Sequence, residues 1–371
     1  MADRFQITYQ VQADSIERAK EIAESIRVEQ TVEMPIETLP AQGVSSLGEI
    51  EEITPSDRPD LWILTISYPQ SVTGDDLTQS LNTLFGNISL YPGIRILDAD
   101  DSFFSRRFSG PSFGLSGLRT LLNRDKDLPL SCTALKPVGL TPDELADLAL
   151  QFTRGGINII KDDHGIANQR SAPFKERVAA CSKAVREGEQ YTGNKTLYFP
   201  NITTSPSEVK NRYFEAVELG ADGVLVCPQL TGLEIISELA ELKQVPVMAH
   251  PAFSGGYIIH ETHGFLPEFY YGKLWRALGA DAVIYPNAGG RFTLSLETCL
   301  AMNKQMVGDF CGFRSSAPTP AGGIHVDSIP GLLKRYGRDI CYLIGGSLYQ
   351  DSDGVEKATK KFTKLLEGGD E

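Results

Sequence analysis

The chain has 371 residues, of which 41% are hydrophobic and 22% are charged, a composition typical of a globular protein with a sizeable core. This length suits one small domain followed by an α/β barrel of about 250 residues. The formal net charge of -13 argues against nucleic acid or an anionic membrane as a partner, since both attract basic surfaces.

Cysteine spacing and the first residues predict the compartment. The six cysteines are scattered singly without a C-x-x-C pair, and the chain opens with MADRFQITYQ, which lacks the pattern of a signal peptide. No uncharged apolar run approaches the roughly 18 residues that a membrane span requires. We therefore expect a reduced, cytoplasmic protein.

Residues 1–125 are predicted to form an N-terminal ferredoxin-like α+β domain of the β-α-β-β-α-β type. Strand-like and helix-like periods alternate there through RFQITYQV, SIERAKEIAESI, LWILTISYP, DLTQSLNTLF and SLYPGIRILDA. The segment at residues 40–59 is acidic and weakly periodic, which predicts a loop. Glycine, serine and arginine mix over residues 102–128, which indicates the crossing into a second domain.

Residues 126–371 are predicted to form a (β/α)8 TIM barrel. Eight short apolar runs alternate with polar turns and amphipathic helices: SCTALK, INIIK, TLYFPNI, DGVLVC, PVMAH, AVIYP, TPAGG and CYLIGG. Because such barrels carry their catalytic groups at the carboxyl ends of the strands, the residues that end these runs are the candidates for function.

The second barrel strand ends in the run Lys161, Asp162, Asp163 and His164. Carboxylate oxygens suit a hard cation, and the lysine could neutralise such a site or react with CO2 to give a carbamate ligand. The alternative is an ordinary ion pair between Lys161 and one of the two aspartates. The run therefore predicts a metal site and leaves the structural ion pair open.

Lys136 ends the first barrel strand in ALKPVGLT, where Thr141 can cap the next helix. Burial near Lys161 would favour a neutral amine, which makes Lys136 a candidate general base. The alternative is a lysine whose stem covers the rim of the barrel and whose charge stays in water.

Paired glycines end the seventh and eighth strands, at Gly322-Gly323 and Gly345-Gly346. Backbone N–H groups can approach an anion there without an intervening Cβ, and barrels often bind phosphate at these two strands. The same pairs could serve tight turns alone.

Two further candidates follow the fifth and sixth strands. Arg291 lies in NAGGRF, a glycine-rich loop from which it could close over a bound anion, although it could also be a solvated surface arginine. His250 ends the fifth strand in VMAHP, where it is either a catalytic or a rim histidine.

Six motifs in order resemble the RuBisCO superfamily over nearly the whole chain. CTALKPVGLT is similar to the strand-one signature C-T-x-x-K-P-K-x-G-L, and GGINIIKDDHGIANQ is similar to the strand-two signature G-G-x-D-x-x-K-D-D-E-x-x-x-x-Q. The further matches are LFGNISLYPGIRILD, FSGPSFGLSGLRTLL, AGGIH and GGSL.

The resemblance implies a role for each matching residue. Lys161 would form the carbamate, Asp163 would bind Mg2+, and Lys136 would remove a proton next to a carbonyl. The two glycine pairs would bind a phosphate. In the family each active site is built across a head-to-tail homodimer, so Asn87 and Glu29 would reach the site of the partner subunit.

Departures from the family pattern bear on the reaction. Val138 stands where carboxylating members have the second lysine of K-P-K, and Arg291 replaces the lysine of their mobile loop. His164 stands where the third metal-binding glutamate is expected, as a ligand to the metal or as a group that hydrogen-bonds the substrate. Because Mg2+ prefers oxygen, this histidine leaves the identity of the metal open.

Three groups that hold one phosphate of a bisphosphate are replaced, by Pro251, by Ala321 and by Pro267 or a near neighbour. A substrate with one phosphate and a less polar far end is expected, as for the non-carboxylating RuBisCO-like proteins. The predicted function is an enolase or isomerase acting through a metal-stabilised enediolate, such as a 5-methylthioribulose-1-phosphate isomerase of methionine salvage, without carboxylation of ribulose bisphosphate. The alternatives are a decarboxylase of the 3-oxo-isoapionate 4-phosphate type and a non-catalytic RuBisCO-like protein.

Overall fold

A computed structural model describes residues 4–290 and 294–368 of the chain. The residues group into two compact units. The first unit contains Met1–Phe108 together with Ser254–Tyr270, and the second contains Ser109–Phe253 together with Tyr271–Glu371.

The strands of the described residues belong to two sheets. In chain order they are β1 (Arg4–Gln12), β2 (Glu49–Pro55), β3 (Leu61–Pro69), β4 (Ile94–Ala99), β5 (Leu130–Leu135), β6 (Ile159–Asp162), β7 (Leu197–Phe199), β8 (Val224–Val226), β9 (Val247–Ala249), β10 (Gly264–Phe265), β11 (Ala282–Pro286), β12 (Ala317–Ala321) and β13 (Cys341–Ile344).

The α-helices of the same residues are α1 (Ile16–Glu29), α2 (Ala41–Val44), α3 (Leu77–Phe85), α4 (Asp101–Phe104), α5 (Gly114–Leu121), α6 (Pro142–Arg154), α7 (Phe174–Thr192), α8 (Val209–Glu218), α9 (Pro228–Thr231), α10 (Ile235–Glu241), α11 (Gly255–Ile258), α12 (Trp275–Leu278), α13 (Leu296–Val307), α14 (Ile329–Tyr336), α15 (Gly346–Tyr349) and α16 (Val355–Glu367). Shorter 3-10 helices span Ile36–Thr38, Gln70–Val72, Asn87–Leu90, Pro206–Glu208 and Val326–Ser328, and a π-helix spans Glu268–Leu274.

The first unit is built on a mixed sheet with the strand order β10-β4-β1-β3-β2. Its first four strands and the helices α1 and α3 follow the predicted β-α-β-β-α-β order. The prediction of a loop over residues 40–59 is wrong in part, because Glu49–Pro55 forms β2, antiparallel to β3. β2 lies at the edge of the sheet with its glutamates exposed, which is why the segment is acidic and weakly periodic.

A fifth strand reaches this sheet from a distant part of the chain. In β10, Gly264 pairs with Arg95 and Phe265 pairs with Ile96, in parallel with β4. The segment Ser254–Tyr270 therefore belongs to the first unit, although it follows the fifth barrel strand in sequence.

The second unit is an eight-stranded parallel sheet with the order β7-β6-β5-β13-β12-β11-β9-β8. A parallel bridge between Asn201 and Leu225 connects the two ends of that order. These strands coincide with the eight apolar runs of the sequence, so the predicted (β/α)8 barrel is confirmed. The predicted cap of α6 is also present, since Thr141 and Glu144 form a capping box.

Alternate residues of the barrel strands face the interior. Cys132 on β5, Ile159 on β6 and Leu225 on β8 belong to one buried apolar cluster. Burial of each large aliphatic side chain contributes about 1.5–3 kcal/mol. The alternation continues to the strand ends, so a residue two positions after an interior residue faces the mouth of the barrel.

Two further observations concern the helices and the cysteines. No helix in the described part of the chain is long and apolar enough to cross a membrane. All six cysteines are free thiols.

Candidate active site

The end of β6 separates Lys161 and Asp162 onto opposite faces of the strand. Lys161 follows the interior residue Ile159 by two positions, and it is only 3% exposed. Its Nζ donates a hydrogen bond to the backbone oxygen of Asp162 at 3.0 Å. The Asp162 carboxylate binds other partners, so of the two predicted ion pairs of Lys161 the one with Asp163 stays a prediction.

The Asp162 carboxylate is fully buried and accepts hydrogen bonds from residues around the barrel. Its Oδ2 accepts from Arg177 Nε at 3.1 Å and from the backbone N–H of Asn201 at 2.9 Å, while Oδ1 accepts from the Tyr198 hydroxyl at 2.9 Å. Arg177, on α7, is also fully buried, so each charge is the counter-ion of the other. Asp162 is a structural residue.

The same partners fix the loop that carries the next two residues. Arg177 donates to the carbonyl oxygens of Ala172 and Ala167 at 2.9 and 2.8 Å. Asn201 donates from Nδ2 to the carbonyl oxygens of His164 and Ile166, both at 3.0 Å. The backbone around His164 is thus held by Asn201, two residues after β7, and by Arg177 of α7.

Asp163 lies between two candidate catalytic groups. Its Oδ2 is 3.2 Å from Lys136 Nζ and its Oδ1 is 3.3 Å from His164 Nδ1. Oδ1 also accepts the backbone N–H of Gly165 at 3.1 Å. Burial alone would raise the pKa of Asp163, but the charge of Lys161, the Gly165 N–H and the charge of Lys136 together lower it.

The surroundings of Lys161 favour the neutral amine. Burial lowers the pKa of Lys161, and the charge of Lys136 lowers it further, while Asp163 opposes both effects. A neutral amine is the form that attacks CO2, so the direction of this pKa shift is the one that carbamate formation requires.

His164 and His250 form a stacked pair at the mouth. Their ring centroids are 4.3 Å apart with an interplanar angle of 15°. His250 Nδ1 accepts the backbone N–H of Ala252 at 3.1 Å, which leaves Nε2 as the protonated nitrogen of the neutral ring. Burial and then the charges of Lys161 and His164 lower the pKa of His250 well below its ordinary value.

Lys136 follows β5 and approaches the end of the eighth barrel strand. A Cβ built on Gly345 would lie 3.2 Å from Lys136 Nζ, so this glycine leaves room for the amine. The backbone N–H of Lys136 donates to the Tyr349 hydroxyl at 3.2 Å. The structure places Lys136 and His164 on either side of Asp163, at 3.2 and 3.3 Å from its two carboxylate oxygens.

The glycine pairs differ in what surrounds them. A Cβ on Gly323 would meet the Cα of Gly290 at 2.6 Å, and one on Gly290 would meet the carbonyl oxygen of Gly322 at 2.4 Å. Close backbone packing is thus one reason for glycine at this pair. A Cβ on Gly346 would meet nothing within 4 Å, so packing does not require glycine at this position.

Three predicted site residues remain. Glu29 and Asn87 both lie in the first unit, where Asn87 Nδ2 donates to Glu29 Oε1 at 2.9 Å. Arg291 lies outside the residues that the structure describes.

The donors at the mouth fit a metal site that contains a carbamate. Within residues 4–290 and 294–368, no group of three or more His, Cys, Asp or Glu side chains is arranged to hold a metal ion. Asp163 and His164 supply two donors, so an ion bound here needs a further ligand, and a carbamate on the buried Lys161 would supply it. The donor chemistry is compatible with this ligand set.

Sequence reasoning missed three residues that hold the site in place, namely Arg177, Tyr198 and Tyr349. Strand alternation is the signal that points to the first two, because an inward Lys161 requires an outward Asp162 that needs a partner in the wall. No local pattern identifies Tyr349.

Comparison with known proteins assigns the family. The ribulose bisphosphate carboxylase large chain, catalytic domain, matches residues 114–363. The 5-methylthioribulose-1-phosphate isomerase of Rhodospirillum rubrum is 39% identical over 99% of this chain and 97% of its own length. A 2,3-diketo-5-methylthiopentyl-1-phosphate enolase of Bacillus velezensis is 32% identical over 95% of this chain and 89% of its own.

Solved structures agree with this assignment. The crystal structure of a Rubisco-like protein from Rhodopseudomonas palustris matches with a TM-score of 0.87 and 34% identity, over 99% of both chains. A rubisco-like protein from Alicyclobacillus acidocaldarius matches with a TM-score of 0.88 and 27% identity, over 99% of this chain and 95% of its own. The chain therefore belongs to the ribulose bisphosphate carboxylase large-chain family, as a relative of its non-carboxylating RuBisCO-like members.

Proposed function

We propose that this protein is an enolase or isomerase that acts on a singly phosphorylated ketose or diketone through an enediolate, in methionine salvage. The observation that carries the proposal is the contact of 3.2 Å between Lys136 Nζ and Asp163 at the barrel mouth, beside the backbone of Gly345. The printed functions of the relatives, a methylthioribulose-phosphate isomerase and a diketo-methylthiopentyl-phosphate enolase, support the choice of substrate.

Lys136 is the proposed general base. Its amine takes a proton from the carbon next to the substrate carbonyl, and isomerisation is completed when a proton returns to the neighbouring carbon. The Nε2–H of His250 is the proposed donor to a substrate oxygen, since Ala252 occupies Nδ1. A positioned base typically contributes a factor of about 10²–10⁴ to the rate.

Asp163, His164 and a carbamate on Lys161 are the proposed ligands of a divalent cation. When bound, such an ion stabilises the negative charge of an enediolate. Mg2+ is the ion expected from the family, and the nitrogen of His164 leaves a softer divalent ion as the alternative.

The remaining proposals concern the phosphate, the loop arginine and the partner subunit. We assign the substrate phosphate to the backbone N–H groups of Gly322-Gly323 and Gly345-Gly346. Arg291 is assigned to closure over the bound anion. The protein is proposed to be a cytoplasmic homodimer in which Glu29 and Asn87 reach the site of the partner subunit, and carboxylation is not expected because Val138 replaces a lysine.

The test is proton exchange in D2O. The enzyme is incubated with Mg2+, bicarbonate and 5-methylthioribulose 1-phosphate or 2,3-diketo-5-methylthiopentyl 1-phosphate, and the products are followed by ¹H and ³¹P NMR. Deuterium beside the carbonyl, with the phosphate retained and no CO2 released, is the expected result. Release of CO2 from a phosphorylated 3-oxo sugar acid would instead identify a decarboxylase. Inactivity on all three compounds would indicate a non-catalytic protein.

A further inference from the structure

Among the described residues, no strand pairs with the last part of β5, just before Lys136, on the side of β13. Toward β6, the carbonyl of Leu135 is paired with the backbone N–H of Asp163 at 3.1 Å. Toward β13, regular pairing ends at Ile344 opposite Thr133. The carbonyl of Ala134 and the N–H of Lys136 point to that second side, because groups two residues apart along a strand share a direction.

The Tyr349 hydroxyl takes the place of the missing strand residue. It donates to the Ala134 carbonyl at 2.8 Å and accepts from the Lys136 N–H at 3.2 Å. A neutral phenol can do both, as a peptide group does with its N–H and C=O. The ring of Tyr349 packs edge-on against Phe152 of α6, with centroids 5.5 Å apart, so the hydroxyl is held in position.

The segment that begins after β13 therefore contacts Lys136 at two points. Tyr349 binds its backbone N–H, and Gly345 lies against its side-chain amine. The amine in turn contacts Asp163 at 3.2 Å. Groups outside β5 thus contact both the backbone N–H and the side-chain amine of Lys136.

We propose that Tyr349 is a positioning residue for the base: its hydroxyl completes the hydrogen bonding at the end of β5 and thereby holds the Lys136 amine against Asp163. The assignment rests on the proposed function of Lys136. Tyr349→Phe keeps the ring and removes both hydrogen bonds. Since displacement of a catalytic group by about 1 Å can cost about 10²-fold in rate, we expect kcat to fall by about 10–100-fold with KM within about twofold.

Tyr342→Phe is the matched control. The Tyr342 hydroxyl also belongs to the last barrel strand, and it donates to the backbone carbonyls of Gly337 and Leu332 at 2.6 and 3.3 Å. Its loss removes hydrogen bonds to the backbone without touching Lys136. This variant should therefore retain kcat and KM even where its stability falls as much as that of Tyr349→Phe.

Two readouts do not depend on turnover. Hydrogen–deuterium exchange of the peptide that contains residues 130–136 should show one faster amide in Tyr349→Phe and none in Tyr342→Phe. Labelling of Lys136 by acetic anhydride, quantified by mass spectrometry, should be several-fold faster in Tyr349→Phe, because the amine is no longer held against Asp163.

The outcomes separate this inference from the proposed function. Faster exchange and labelling in Tyr349→Phe support the positioning role even if the wild-type protein turns over none of the tested substrates, in which case only the proposed function fails. Unchanged exchange and labelling overturn the inference whatever the activity. Faster exchange with unchanged labelling and unchanged kcat also overturns it, because Tyr349 would then stabilise the strand without positioning the base.

Discussion

Asp162 and Asp163 allow a test of whether two adjacent residues have separate roles, one in stability and one in catalysis. Asp162→Asn removes the counter-charge of Arg177, and both side chains are fully buried. Breaking a buried ion pair by removal of one partner costs about 3–5 kcal/mol. At about 2–4 °C per kcal/mol for a domain of this size, we expect the Tm to fall by about 6–20 °C.

Asp163→Asn is the matched comparison at the next position. Its carboxylate contacts Lys136, whose side chain is 35% exposed, so the loss of this ion pair costs only about 0–1 kcal/mol. The same substitution should abolish most of the activity, because Asp163 is the proposed metal ligand and neighbour of the base. We therefore expect the substitution of Asp162 to lower stability and that of Asp163 to lower turnover.

The assay combines thermal unfolding by circular dichroism with the proton-exchange reaction at a temperature where both variants are folded. Equal losses of Tm in the two variants, or an unchanged Tm in Asp162→Asn, would refute the division of roles. A double variant, Asp162→Leu with Arg177→Met, removes both charges. It should regain part of the stability that Asp162→Asn loses, since no buried charge is then left without a partner.

Three further predictions concern the base, the metal and Asp281, the residue before β11. Lys136→Met should lower kcat/KM for proton exchange by about 10²–10⁴-fold with little change in Tm, and normal exchange would exclude Lys136 as the base. His164→Glu should bind Mg2+ more tightly by isothermal titration calorimetry in bicarbonate, because it restores an oxygen donor, and unchanged binding would argue against His164 as a ligand. Burial raises the pKa of Asp281 from 3.8 to about 6 even though it accepts three backbone N–H groups, so its contribution to folding is largest below pH 3.8 and falls by about 3 kcal/mol as the pH rises through 6. The free energy of unfolding of the wild type in urea should therefore fall relative to that of Asp281→Asn between pH 4 and pH 7. A rise of the wild-type value relative to the variant would contradict this prediction.

The eight barrel strands could be predicted from the sequence because both faces of each strand are buried, which produces short apolar runs between polar turns. β2 escaped prediction for the opposite reason, since an exposed edge strand such as Glu49–Pro55 has no buried face to impose alternation. β10 could not be predicted because only two residues pair, with a strand far away in sequence.

The sequence names candidate members of the site, but it does not give their arrangement. The motif at Lys161 identifies two carboxylates without saying which one faces the mouth, and that depends on the pleat of β6 and on Arg177 in the next helix. Likewise, Lys136 is visible as a strand-end lysine, while its support by Tyr349 depends on where β13 stops. These arrangements depend on contacts between segments that are distant in sequence, which local patterns do not show.

The charges at the mouth bear on the proposed carbamate at Lys161. With Lys161 as the neutral amine that its burial favours, the formal charges there are one positive on Lys136 and one negative on Asp163, with a histidine where the family motif has a glutamate. A divalent cation would then meet no net negative charge. Formation of a carbamate on the Lys161 amine, with release of a proton, would change the local charge by one and add oxygen donors, so the sum would become negative. In the proposed site, a histidine in place of the glutamate would therefore make metal binding depend more on a carbamate at Lys161.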